Sequence, residues 1–176
     1  MKPIVLPNLE ATNKLGLSLA KSIDESALIG LSGPVGTGKT TLVKALARGF
    51  NISQIVNSPT FVIMNEYIGG RLPLYHLDFY RFADGLSAGH DLALLAVEVE
   101  ELCQRPGVVV IEWPEYFRID DPGSEFLDGR DHLKIGLNYA EEADDMRLAS
   151  IEAVGSSANR VVNNLFKLAK DMFIYS

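Results

Sequence analysis

Cysteine is almost missing from this chain: Cys103 is the only one in 176 residues. That excludes an internal disulfide and any metal cage built from cysteines. Cys103 stands near Val99 and Leu102 in a helical pattern, the position of a packed thiol rather than a reactive one. Histidine is scarce too, and His76, His90 and His132 are scattered with none of the spacings that gather zinc ligands. No apolar run approaches the roughly 18 to 20 residues of a membrane span. The first residues, Met1-Lys2-Pro3-Ile4-Val5-Leu6-Pro7, lack the long apolar core of a signal peptide, and a cytoplasmic location is expected. Positive charge is in deficit, with 16 Lys and Arg against 23 Asp and Glu, a net charge of −7. Phosphate contacts to nucleic acid come mainly from Lys and Arg, so a stand-alone nucleic-acid binder is disfavoured and any RNA would be held by a partner.

What is present is a composition 47% hydrophobic, enough for one domain over residues 1–176 with a full core, residues 156–176 forming a C-terminal helical extension. The most informative stretch is Leu28 to Gly49. An apolar strand (Ala27 to Ser32) runs into Gly33-Pro34-Val35-Gly36-Thr37-Gly38-Lys39-Thr40-Thr41, and a helical stripe of Leu42, Ala45 and Leu46 follows, closed by Arg48 and Gly49. Gly33, four residues, then Gly38-Lys39-Thr40 is the Walker A spacing. Gly33, Gly36 and Gly38 permit the positive φ values that turn successive N–H groups inward as a nest for anionic oxygens. Thr40 falls in the first helical turn, where unpaired N–H groups face the same oxygens. Lys39 then reaches the β- and γ-phosphates and the Thr40 hydroxyl binds Mg²⁺, so the chain is expected to bind a nucleoside triphosphate.

Around this stretch the pattern alternates strand and helix. Ile4-Val5-Leu6 is a short strand, and Asn8 caps a helix to about Ile23 with Leu15, Leu19 and Ile23 on one face. Asn13-Lys14-Leu15-Gly16 lacks the acid of a guanine-reading NKxD motif and precedes the loop, which leaves ATP as the default. In Asn57-Ser58-Pro59-Thr60-Phe61, Pro59 holds Ser58 extended; a hydroxyl there either reaches the γ-phosphate or Mg²⁺, or the segment starts the next strand. Phe61 to Tyr67, Gly69-Gly70 and Leu72 to Asp78 read as a β-hairpin. Asp78, at its end, either orients a water or caps the strand.

Asp91 to Cys103 forms a helix with Leu92, Leu95, Val99 and Leu102 inward and Glu98, Glu100 and Glu101 solvated. Val108 to Ile111 is a continuous apolar run, suited to a central parallel strand, and ends in Glu112-Trp113-Pro114. A carboxylate at that end is what a Walker B position requires, which makes Glu112 a metal-site residue. Trp113 either closes over the nucleotide or packs. Asp120-Asp121-Pro122-Gly123 matches DxxG, but no apolar strand precedes it, and a polar loop over 120–131 is expected. Leu133, Ile135 and Leu137 alternate as a strand, Met146 to Val154 gives another, and Ser156 or Ser157 caps a last helix carrying Val161, Leu165, Leu168 and Met172.

Taken together, GPVGTGKTT at 33–41, SPTF at 58–61, YHLDFYR at 75–81 and VVVIEWPE at 108–115 resemble the TsaE (YjeE) family, P-loop ATPases required for threonylcarbamoyladenosine modification of bacterial tRNA. The resemblance runs from residue 10 to residue 137. It implies an α/β, three-layer P-loop NTPase fold with a central, mostly parallel sheet and helices on both faces. It also implies ATP and Mg²⁺ at the loop, and slow hydrolysis coupled to the protein partners TsaB and TsaD, with tRNA engaged only through that complex. By the same resemblance Lys39 contacts phosphates, Thr40 and Glu112 hold magnesium, and Thr60 is a switch threonine. Asp78 is the acid near the γ-phosphate and metal, Trp113 lies beside the nucleotide, and Thr12 or Asn13 approaches the adenine. The acidic 120–131 loop and the helix from Ser156 depart from the family pattern in regions that bear on partner docking. A small-molecule P-loop kinase is the competing reading; its lid would have only Arg118 and Arg130 to bring over the phosphates.

Overall fold

In the computed structural model, which describes residues 3–83, 92–118, 125–141, 143 and 145–170, strands and helices follow the order expected from the pattern. They are β1 (Ile4–Leu6), α1 (Leu9–Ser22), β2 (Ala27–Ser32), α2 (Lys39–Gly49), β3 (Met64–Tyr67), β4 (Leu74–Asp78), α3 (Leu92–Gln104), β5 (Val108–Glu112), β6 (His132–Tyr139), β7 (Arg147–Val154) and α4 (Ser156–Leu168). Short 3₁₀ turns at Tyr80–Phe82 and Pro114–Tyr116 follow β4 and β5.

The strands form one seven-stranded sheet in the order β1-β7-β6-β2-β5-β4-β3. β6, β2, β5 and β4 are mutually parallel, while β7 and β1 on one flank and β3 on the other are antiparallel additions. The parallel centre is where the apolar runs lie. Alternation along β5 explains the layers: Val108 and Val110 join the core beneath α1, α2 and α4, whereas Val109 and Ile111 join the core on the α3 side. A strand covered on both faces has no solvent side to carry polar residues, hence the unbroken Val-Val-Val-Ile.

Two helices set the site's floor. Asn8 caps α1 as its sequence suggests, its Oδ1 accepting the Ala11 N–H at 3.0 Å. α1 then lies close on α2 because Gly16 has no side chain: a Cβ there would stand 2.6 Å from Ala45 Cβ and 2.9 Å from the Leu42 carbonyl. Burial pushes the Cys103 thiol up to about 11, with Glu100 adding to the rise and Arg130 opposing it, as befits a packed thiol.

Four local readings are corrected. The hairpin strand begins at Met64 rather than Phe61, because residues 60–62 form a turn. Neither Ser156 nor Ser157 caps α4. Gly155 occupies the N-cap, and the carboxylate of Asp131, one residue before β6, accepts the Ser157 and Ala158 N–H groups at 2.8 Å each; such a cap contributes about 1 kcal/mol. The buried face of α4 is Ala158, Val161, Val162 and Leu165, with Leu168 exposed. The second hairpin strand begins at Leu74 rather than Leu72, while Glu100 stands on the solvated face expected of it and pairs there with Arg130 at 2.6 Å. Met172, the Leu92 side chain, the 87–89 loop and Asp120 to Gly123 lie outside the described residues.

Candidate nucleotide site

The four parallel strands end together, and β2 delivers the chain from that edge into the 33–38 loop. Gly33, Gly36 and Gly38 adopt φ of 122°, 82° and 102°, the left-handed values that invert the backbone so that its N–H groups converge. At Gly33 space matters as much as torsion, since a Cβ would come 1.9 Å from the Leu137 carbonyl oxygen. The loop is braced from within by the Thr37 hydroxyl, which donates to the Pro34 carbonyl at 2.9 Å. From the end of β6 it is braced by Tyr139, whose hydroxyl donates to the Val35 carbonyl at 2.8 Å. α2 starts at Lys39 with no side-chain cap. Its first N–H groups are therefore left for a ligand, at the positive end of the helix dipole.

Lys39 is folded onto its own loop. Its Nζ donates to the Gly33 and Pro34 carbonyls at 2.7 and 2.9 Å and lies 3.7 Å from the centre of the Trp113 ring. Burial lowers its pKa, opposed by the nearby carboxylates of Glu112, Asp78 and Glu115. Trp113 reaches this place through a left-handed backbone turn, φ 61° and ψ 49°, at the end of β5. Such a conformation costs a bulky residue about 1–3 kcal/mol and persists only where its surroundings fix it. Here the Trp113 N–H donates to the Leu31 carbonyl at 2.9 Å, and the indole stacks on Tyr116, with Tyr80 tilted against it at 5.2 Å.

The acids come from neighbouring strands in register. Asp78 at the end of β4 is opposite Glu112 at the end of β5, and both are buried, at 3% exposure each. The Thr40 hydroxyl donates to Glu112 Oε1 at 2.9 Å. An ionised carboxylate can only accept, so the hydroxyl proton points at Glu112 and the oxygen lone pairs face away from it. Asp78 gathers a second group: Oδ2 accepts from the Ser58 and Thr60 hydroxyls at 2.9 and 2.5 Å, and Oδ1 accepts the Tyr80 N–H at 3.0 Å. Asp78 thus caps the end of its strand through the Tyr80 N–H and stands beside Glu112. Thr60 likewise belongs to a turn tied to the site, and the strand starts four residues later.

These groups line a cleft of ≈ 420 Å³ whose walls include Lys39, Thr40, Thr60, Asp78, Glu112 and Trp113. Val35, Gly36, Gly38 and Thr41 complete its phosphate side. Gly33 and Pro34 do not line it; their carbonyls hold Lys39 instead. Beyond Gly38 a second hollow of ≈ 390 Å³ is lined by Thr12, Thr37, Thr41, Asp145 and Arg147 among others. Thr12 is thus at the loop, whereas Asn13 accepts from Arg48 of α2.

Two participants escaped the sequence reading: His76, whose Nε2 lies 2.9 Å from Glu112 Oε1, and Tyr80 against Trp113; Ser58, singled out for its hydroxyl, is found bonded to Asp78. For His76 the signal was available, since it stands two residues before Asp78 and shares its face of the strand. Among the described residues, no three His, Cys, Asp or Glu side chains are grouped to hold a metal by themselves. The oxygen donors Thr40, Asp78 and Glu112 nonetheless suit Mg²⁺, a hard cation that takes one or two carboxylates and fills the rest of its shell with phosphate and water.

A glycine-bearing anion nest between a buried parallel strand and a helix, flanked by two strand-end carboxylates, defines a P-loop nucleotide-binding protein. The comparisons narrow this further. A family model described as "Threonylcarbamoyl adenosine biosynthesis protein TsaE" matches residues 6–148, and the chain belongs to that family. The tRNA threonylcarbamoyladenosine biosynthesis protein TsaE of Nostoc is 41% identical over 115 residues, 65% of this chain and 69% of the relative. The Bacillus subtilis protein of the same name is 37% identical over 84% of this chain and 80% of its own. The Streptomyces coelicolor one is 34% identical over 81% and 90%. Among solved structures, Bacillus subtilis YdiB superposes with a TM-score of 0.71 at 28% identity, covering 94% of this chain and 93% of that one.

Proposed function

We propose that this protein is a Mg²⁺-dependent ATPase that serves threonylcarbamoyladenosine modification of tRNA in the cytoplasm, acting with TsaB and TsaD and meeting tRNA only through them. The observation that carries the reading is the linkage of loop, acids and the 58–60 segment in one cleft: Thr40 bonded to Glu112, and Ser58 and Thr60 bonded to Asp78, on adjacent strands. Family membership supplies the pathway.

In this reading Lys39 leaves the Gly33 and Pro34 carbonyls for the β- and γ-phosphates, and the loop amides from Gly36 to Thr41 take the remaining charge. Thr40 and Glu112, with Asp78, would hold Mg²⁺, which would supply positive charge against the phosphates. Asp78 orients the attacking water, and the Thr60 hydroxyl, released from it, follows the γ-phosphate. Because the segment over 58–60 is tied to Asp78 by side chains alone, its position is free to depend on what occupies the cleft. Partner proteins would read that position. Trp113, whose ring faces Lys39, then lies beside the nucleotide.

The kinase alternative is weakened by the placement of Arg130. Its guanidinium is bonded to Glu100 and packed on Phe126, beside a cavity of ≈ 210 Å³ lined by Ala27, Gly107 and His132. These residues mark the starts of β2, β5 and β6, the edge opposite the phosphate loop. A lid arginine cannot act from there.

The reading is tested by assaying tRNA modification with TsaB, TsaD, ATP and a threonylcarbamoyl donor, with and without this chain. Sustained modification that depends on the chain and on hydrolysable ATP is expected. Equal modification in its absence would sink the assignment.

A further inference from the structure

His76 is wholly buried on β4, one pleat deeper than Asp78, where register sets it opposite Val110 of β5. The neighbouring positions on that face, Leu74, Val108 and Val110, are apolar and fully covered. An aliphatic side chain would complete this floor without difficulty. The imidazole instead brings a polar cost: Nδ1 is buried and has no hydrogen-bond partner. Its other nitrogen, Nε2, is 2.9 Å from Glu112 Oε1, the same oxygen that accepts the Thr40 hydroxyl. An ionised Glu112 can only accept, so Nε2 carries the proton and donates it.

From this arrangement we infer that His76 is a positioning residue for the cation-binding end of the cleft, acting through Glu112. The inference rests on the proposed roles of Thr40 and Glu112. Nε2–H and the Thr40 hydroxyl approach Oε1 from two sides and fix the carboxylate's rotation. A fixed Oε1 in turn holds the Thr40 O–H pointing inward, so that its lone pairs stay presented to the cation. Without the Nε2 donor, Glu112 can swing, and the Thr40 hydroxyl loses its set direction. The unpartnered Nδ1 is the stability sacrificed for that orientation. Groups that orient metal ligands in this way typically change metal affinity by 10- to 100-fold when removed.

The experiment measures binding of the non-hydrolysable analogue AMPPNP by calorimetry across a Mg²⁺ series, for the full chain and its variants, with thermal unfolding as the fold control. His76→Leu keeps the volume and removes the donor. It is expected to fold at the wild-type midpoint or above, to bind AMPPNP in EDTA as the wild type does, and to need about 10- to 100-fold more Mg²⁺ for half-saturation. His76→Gln places an amide N–H at the reach of Nε2 and is expected to restore the Mg²⁺ requirement to within about threefold. His76→Asn, whose amide falls short of Glu112, should behave like the Leu variant, and the Gln and Asn pair decides the matter if the Leu variant does not fold. Glu112→Ala supplies the reference loss. A Leu variant with the wild-type Mg²⁺ requirement beside a shifted Glu112→Ala would overturn the role of His76 and leave the site reading intact. Equal shifts in the Leu and Gln variants would also overturn it, since ring shape rather than the donor would then matter. If Glu112→Ala itself shows no shift, the proposed role of Glu112 fails and the inference with it.

Discussion

Lys39→Ala is expected to lower ATP turnover by about 10²–10³-fold or more while the protein stays folded, the scale seen when a charge-stabilising donor is removed from a reacting centre. Among the described residues the side chain is the single cation in the cleft wall, and it contacts two loop carbonyls and the Trp113 face. Of these only Trp113 belongs to the hydrophobic core, and its ring contacts with Tyr116 and Tyr80 do not involve Lys39. Loss of Lys39 therefore leaves α2 packed through Leu42, Val43 and Leu46, all buried, and a small shift in unfolding midpoint is expected. Carbonyls that Lys39 occupied become open to water, and the phosphates lose the positive partner proposed for them. Phosphate release measured beside nucleotide binding separates the two effects. The binding signal is available from Trp113, the sole tryptophan, whose emission should change in the wild type as Lys39 leaves its ring and should change less in the variant.

Asp78→Ala is the second large effect. It removes the group proposed to orient the attacking water, for which a loss of about 10²–10⁴-fold is typical. It also strips three hydrogen bonds from one carboxylate, those of Ser58, Thr60 and the Tyr80 N–H. Phe61 and Val62, already exposed at the tip of that segment, then keep the Arg81 guanidinium on the Phe61 carbonyl and the bond from the Val62 N–H to the Pro59 carbonyl. The expected signature is binding of ATP within a few-fold of wild type, lost turnover, and faster amide exchange over 60–63. Loss of binding together with a collapsed unfolding transition would instead mark Asp78 as structural. In the reconstituted modification system this variant also distinguishes an ATPase cycle from nucleotide-gated binding: many rounds of modification without hydrolysis would favour the latter.

The phosphate loop could be read from sequence because its determinants are adjacent. Three glycines, a lysine and a threonine between an apolar run and a helical stripe leave one physical solution, and the torsions at Gly33, Gly36 and Gly38 are those expected. Glu112 was legible for a similar reason, standing where a doubly buried strand must emerge. What escaped was set by residues far apart in the chain. No local pattern tells that Asp131 will cap α4 in place of Ser156, because the capping carboxylate lies 26 residues before the N–H of Ser157. The use of both hydroxyls of Ser58 and Thr60 by Asp78 depends on the hairpin closing back over the site. His76 sat inside a recognised motif, yet its polar contact became visible only when β4 and β5 were placed side by side. The exposure of Leu168 has the same origin: helical spacing puts it on the apolar stripe, but the described helix ends there at the Ala169 cap.

The account turns on phosphate release from ATP by the purified chain, measured alone and with TsaB and TsaD, in the presence of Mg²⁺ and with Lys39→Ala as the control. Slow release that rises when both partners are added, and is absent from the variant under either condition, is the predicted result. ATP bound with no release in either condition, or release that requires an added metabolite as phosphate acceptor, would contradict it.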